Sequence, residues 1–167
     1  MWVRSEYAGE LAVLSTWLSA LLPWNVTYAT GFDGGTLLFV RFPLVQIRYA
    51  FGLPVARGVF VADPLSAVAF QRGQALELPY QIWAVGAAVF AVAVVVSILF
   101  YRDEDRAESW PVDPVRLLGA LLSATGLVFA AATVLLLERG FPGVPVPVGV
   151  VFLLLFGGVL LTVDRTE

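Results

Sequence analysis

The 167-residue sequence contains no cysteine, no histidine and no lysine, a single asparagine (Asn25) and a single methionine (Met1). Without cysteine there can be no disulfide, thiolate metal site or thiol nucleophile, and the redox compartment cannot be read. Without histidine the usual neutral-pH general base and the commonest metal ligand are missing. Axial haem ligation is disfavoured as well, with Met1 the sole methionine. Charge is scarce at 14% of residues; the ten basic residues are all arginine and face thirteen acids, for a net charge of −3. No basic stripe exists to follow a nucleic-acid backbone. A nucleophile elbow, Walker loop, dinucleotide fingerprint and zinc-protease helix are all absent. No cofactor or metal is expected. Lysine depletion beside an acidic excess fits a salt-adapted, GC-rich archaeon.

What is present is apolar. Hydrophobic residues make up 59% of the chain and mean hydropathy is +0.85, against roughly 45–50% apolar in soluble domains. Three segments, 80–101, 114–137 and 146–163, each approach the roughly 20 residues needed to cross about 30 Å of hydrocarbon. Asp113-Pro114 has the form of an N-cap followed by Pro at the first helical position. Gly140 stands where a left-handed C-terminal cap would be. A fourth apolar segment, 7–23, is shorter and carries Ser15, Thr16 and Ser19. Arg4 before it suggests a signal peptide, but Glu6 and Glu10 spoil the positive n-region, so it is read as a retained helix. The expected fold class is therefore an all-α membrane protein: a four-transmembrane-helix bundle within one domain, residues 1–167.

Residues 25–79 read as a small β-rich insertion between the first two spans. Segment 36–53 is apolar, yet Arg41 and Arg48 would each cost about 2.5–3.5 kcal/mol at the bilayer centre, which outweighs its Leu, Val and Phe. Its Val, Ile, Thr, Phe and Tyr content suits strands. Turning at Pro43-Leu44 would pair 36–42 with 45–51, with further strands around Tyr28 and at 58–61. Asp63-Pro64 then opens a short helix to about Arg72.

Four spans put both termini on one side. Placing them in the cytoplasm sets Arg4, Arg102, Arg106, Arg116 and Arg165 inside on short segments, against five arginines in the outer segments. The insertion becomes extracytoplasmic, and the sequon Asn25-Val26-Thr27 becomes a candidate glycosylation site. Trp24, Tyr28, Tyr80 and Trp83 would mark one membrane interface, and Tyr101 and Trp110 the other.

The centres of the four segments hold no ionisable side chain, which weighs against a proton-coupled pump or transporter. Gly119-x-x-x-Ser123 and Gly126-x-x-x-Ala130, with Gly157-Gly158 on a neighbouring helix, have the small-residue spacing that lets helix backbones approach closely. In the insertion, Arg41, Arg48, Phe39, Phe42 and Phe51 are candidates for contact with a partner or lipid headgroups. The arginines could alternatively pair with acids or hold an anionic ligand. Asp33, Asp63 and Glu77 could do acid–base work only if they converge.

The blocks Trp2-Val3-Arg4-Ser5-Glu6-Tyr7-Ala8-Gly9-Glu10, Leu21-Leu22-Pro23-Trp24, Phe39-Val40-Arg41-Phe42-Pro43-Leu44 and Val112-Asp113-Pro114-Val115-Arg116 carry a resemblance. Together they resemble a family of uncharacterised haloarchaeal integral membrane proteins, a domain of unknown function. The resemblance implies a halophilic archaeal source and a multi-pass place in the cell membrane, and brings no activity. A second resemblance is one of shape: claudin-like tetraspan proteins also place a small sheet and a short helix between their first two spans. This sequence lacks their Gly-Leu-Trp motif and paired cysteines.

The expected function is non-catalytic. The chain would be a structural or accessory protein of the lipid bilayer, presenting the β-rich segment to a membrane or envelope partner or to its own copies as a homo-oligomer. A small channel or transport-complex subunit is one alternative, and a membrane enzyme using the outer carboxylates another.

Overall fold

The computed structural model describes residues 2–32, 34–54 and 58–166. In chain order they form β1 (Trp2–Arg4), α1 (Ser5–Leu21), β2 (Asn25–Phe32), β3 (Gly35–Arg41), β4 (Gln46–Phe51), β5 (Val59–Ala62) and α2 (Pro64–Phe70). There follow α3 (Glu77–Arg102), α4 (Glu104–Glu108), α5 (Pro114–Glu138), β6 (Val144–Val146), α6 (Val148–Thr162) and β7 (Asp164–Thr166).

This is not the expected all-α, four-transmembrane-helix bundle. A five-stranded antiparallel sheet of order β5-β4-β3-β2-β6 is a major part of the fold. Two helices among the described residues, α3 and α5, are long and apolar enough to cross a membrane. The core helix of a soluble protein can meet the same standard of length and composition. Segment 146–163 falls short for a backbone reason. Val144–Val146 pair with β2, so α6 starts only at Val148 and runs 15 residues, about 22 Å at 1.5 Å per residue. Helix α1 is 17 residues long. The tetraspan shape of claudin-like proteins goes with the four-span reading.

The sheet also reaches beyond 25–79, because β6 comes from the connection between α5 and α6. The strands inside the insertion do form, with the β3–β4 turn at Pro43-Leu44 and Asp63 capping α2. At the opposite end β1 and β7 pair in parallel. The start of α1 lies there beside the end of α3, with Gly9 close to Phe100 and Glu104.

Period-two alternation sorts the sheet into two faces. Asn25, Arg41, Gln46 and Ala62 align across the strands in one row, and Thr27, Phe39, Arg48 and Phe60 in the next. These rows form the inner face, toward α2 and the start of α3. The outer face carries Val146, Val26, Val40, Ile47 and Val61 in register, then Val144, Tyr28, Leu38, Tyr49 and Val59. The polarity is inverted relative to a usual half-buried sheet.

Trp24 joins the layers. It is buried, stacks on Phe129 of α5 at 4.8 Å between ring centroids, and sits 6.3 Å from Trp83 of α3. Trp83 donates its indole N–H to the Pro43 carbonyl at 3.1 Å, fixing α3 to the β3–β4 turn. Trp24, Tyr80 and Trp83, expected at a membrane interface, are instead core residues, while Tyr28 and Tyr101 are exposed.

Helices α5 and α6 approach through their small residues. A Cβ added at Gly119 would lie 3.0 Å from the Gly157 carbonyl oxygen, and one at Gly126 would lie 2.9 Å from Leu154. At Gly157 it would strike the Ser123 hydroxyl and come within 2.7 Å of the Ser123 backbone nitrogen. Gly158 points away, with nothing within 4 Å, and Ala130 is half-buried. Gly157→Ala is therefore expected to cost about 1–3 kcal/mol by overpacking, whereas Gly158→Ala should gain up to about 1 kcal/mol from helix propensity. Denaturant titration of the two purified variants checks the contrast.

Candidate functional site

Arg41 ends β3 and is 1% exposed, which forces its charge to be satisfied internally. The sheet register supplies the acceptors, because its cross-strand neighbours on the two sides are Asn25 and Gln46. Its Nε donates to Gln46 Oε1 at 2.9 Å, and its Nη1 donates to Asn25 Oδ1 at 2.8 Å and Thr27 Oγ1 at 2.9 Å. Its Nη2 donates to the Tyr80 hydroxyl at 3.3 Å, which in turn donates to Gln46 Oε1 at 3.0 Å. Every acceptor is neutral, and no carboxylate pairs with Arg41 among the described residues.

Aromatic rings supply what a counter-ion would. The guanidinium carbon lies 4.4 Å from the Phe141 ring centroid, 5.0 Å from Phe39 and 5.8 Å from Tyr80. Phe141 arrives by a local device at the end of α5. Gly140 takes φ 71°, and the N–H groups of Gly140 and Phe141 close back on the carbonyls of Leu137 and Leu136. This is a Schellman cap, and it turns the residue after the glycine back over the helix end. Burial pulls the Arg41 guanidinium below its ordinary pKa, opposed by the Tyr80 hydroxyl. Arginine nevertheless keeps its proton.

Beside this cluster lies a cavity of about 180 Å³, walled by Phe39, Gln46, Arg48 and Phe60 of the sheet and closed by α2, Tyr80 and Phe141. Arg48 stacks on Phe60 at 5.1 Å, and its Nε is buried without a hydrogen-bond partner. Gln71 Oε1, also on the cavity wall, is likewise buried and unpartnered.

The model of a family of unknown function, DUF7549, matches residues 1–165. The chain belongs to that family. No curated protein matches it. DUF7549 membership agrees with the uncharacterised character expected from the quoted sequence blocks, and it brings no activity.

Of the other residues singled out in this DUF7549 sequence, Asn25 and Phe39 belong to the Arg41 cluster and the rest are scattered. Phe39 is buried, Phe42 half-buried and Phe51 exposed. Asn25 is fully buried, with its Nδ2 enclosed, so the folded chain offers a glycosyl transferase no access. Among the carboxylates, Asp63 accepts from the Leu65 and Ser66 backbones and from the Ser66 hydroxyl at 2.5 Å. Glu77 accepts from Gly73 N–H at 2.7 Å and from Gln81. Asp33 and Arg57 lie outside the described residues. Gln46, Gln71 and Phe141 were missed by sequence reading. A period-two face analysis places Gln46 two residues from Arg48 on one strand, and that signal could have found it.

Arg41→Met is expected to destabilise the fold by about 3 kcal/mol or more, since it removes the charge-assisted hydrogen bonds that Arg41 gives to buried oxygens of Asn25, Thr27 and Gln46. Arg41→Lys should restore little of this, because an ammonium lacks the planar fork. Thermal unfolding of both variants checks the order. The exposed Asp63 carboxyl is held below the usual carboxylate range, first by the Ser66 hydroxyl and then by the Ser66 backbone N–H. Its contribution to α2 should be complete above the ordinary range near pH 4 (about 3.9 for Asp) and fade as pH falls through the lower folded value. Amide protection factors at Leu65 and Ser66 should drop over that acid window in the wild type. In Asp63→Asn they should be lower and flat.

Proposed function

We propose that the chain is a non-catalytic membrane protein that holds its sheet at one face of a bilayer and presents the outer sheet surface to its own copies. One observation carries the reading: the outer face bears two rows of Val, Ile, Leu and Tyr with no charged side chain. Tyr28, Val59, Val61, Val144 and Val146 on it are each at least half exposed. An apolar patch of this kind signals association. Lacking charge, it selects no electrostatic complement, and it is complementary to a second copy of itself related by two-fold symmetry.

Membrane attachment draws support from α3 and α5. Their mean hydropathies are 2.7 and 2.2, yet only 33% and 39% of those stretches are buried within the molecule. The remainder turns Val85, Val92, Val95, Leu127 and Val134 outward, a surface that lipid tolerates and water does not. If α3 and α5 cross the bilayer, the sheet lies on one side and the 103–113 connection on the other, together with both termini. Arg102, Arg106 and Arg116 flank that connection on short segments, which favours a cytoplasmic location for it. Lysine depletion and acidic excess support a halophilic archaeal source.

A chain without cysteine gives single-cysteine labelling no background. Gln74→Cys should react with an impermeant maleimide on intact cells and Ser109→Cys only after lysis; equal labelling of both would defeat the topology. A photo-crosslinker at Val61 should give a homodimer in native membranes. A stoichiometric heterologous adduct would replace self-association by a partner protein, and an uncrosslinked monomer would remove the presenting role.

A further inference from the structure

The cavity behind the sheet's inner face has the composition of a ligand site. Its walls are mainly apolar, with Phe39, Phe60, Phe70 and Phe141 among them, and no acidic residue lines it among the described residues. Two of the residues that line it, Arg48 and Gln71, each carry a buried polar atom without a partner, Nε and Oε1. An enclosed polar atom without a partner is costly, so a ligand that satisfies both is favoured over one that satisfies neither. Arg48 is held against Phe60, and Arg41 stands behind Phe39, Gln46 and Tyr80 with its positive charge opposed by no carboxylate among the described residues. Two uncompensated guanidinium groups on one side of an apolar chamber make the site electropositive. Glutamine beside arginine adds an acceptor for a ligand hydroxyl, or two donors after a half-turn of the amide.

The volume sets the size of what fits. A dry cavity of about 150 Å³ holds benzene, so about 180 Å³ admits an apolar body of that size, and the open side of the cavity leaves the head group at its mouth. We infer that this cavity binds the apolar end of an amphiphilic phosphate monoester, a class that offers both the charge for Arg48 and a hydroxyl for Gln71. That chemistry could come from a lipid head group or from a soluble alkyl phosphate. The inference goes beyond the presenting role proposed above and does not depend on it, since it uses only the inner face.

The test is isothermal titration of the purified full chain in neutral detergent. Hexyl phosphate and dihexanoyl phosphatidic acid are the probes, with inorganic phosphate and hexanol as matched controls. Saturable one-to-one binding of at least one amphiphilic phosphate is expected, at least tenfold tighter than either control. Tighter binding of the phosphatidic acid assigns the site to lipid, and tighter binding of hexyl phosphate to a soluble ligand. Arg48→Gln should weaken binding at least tenfold, while Arg116→Gln, exposed at the start of α5, should leave it unchanged. Ala67→Leu fills the cavity from α2 without touching either arginine. It should abolish binding while the protein stays folded by thermal melting, and it decides the matter if Arg48→Gln fails to fold. Three results would overturn the inference: no saturable binding to the folded wild type, inorganic phosphate binding as tightly as hexyl phosphate, or unchanged affinity in folded Ala67→Leu.

Discussion

A guanidinium keeps its charge at any physiological pH, so wherever Arg41 sits inside the molecule its surroundings must be built to hold that charge. The surroundings come from four separate stretches of chain: Asn25 and Thr27 on β2, Gln46 on β4, Tyr80 on α3 and Phe141 beyond α5. Register, helix entry and helix exit are all coupled through one side chain. A one-residue slip of β3 would turn Arg41 to the outer face and Val40 inward, stranding every acceptor. Neutral oxygens and ring faces do the work of a carboxylate here, since no carboxylate pairs with Arg41 among the described residues.

The same constraint explains the inverted sheet. Polar side chains that satisfy Arg41 must share its face, so Asn25, Thr27 and Gln46 are inward and the Val, Ile, Leu and Tyr positions between them are outward. A sheet with polar groups against its helices and apolar groups exposed is unfinished as an isolated object in water. Completing it requires another surface, which is where the proposed association enters. Both ideas, the presenting face and the ligand chamber, thus descend from one row of cross-strand pairs.

Much of the local structure was legible in the residues. The Arg41 and Arg48 desolvation argument removed 36–53 from the spans and put strands there, and strands are what form. Asp63-Pro64, Asp113-Pro114 and Gly140 marked helix ends correctly, because a capping carboxylate or a left-handed glycine acts over a few bonds. Gly119 and Ser123 lie against Gly157, and Gly126 against Leu153 and Leu154, as close helix approach requires. The four-span bundle failed where hydropathy was read without backbone pairing. Val146 is as apolar as its successors, but its peptide group is committed to β2. Trp24, Tyr80 and Trp83 suit a membrane interface by composition and are core by position.

By itself, then, the sequence determined what is excluded, where helices begin and end, and that the two arginines belong to strands. These follow from residue chemistry and short-range geometry. Only the tertiary structure decided that β6 joins the sheet, that Arg41 is buried among neutral acceptors, and that Arg48 and Gln71 share a chamber. Those facts depend on which distant segments pair, and pairing is selected by the summed burial and hydrogen bonding of the whole chain, a quantity that no local pattern carries.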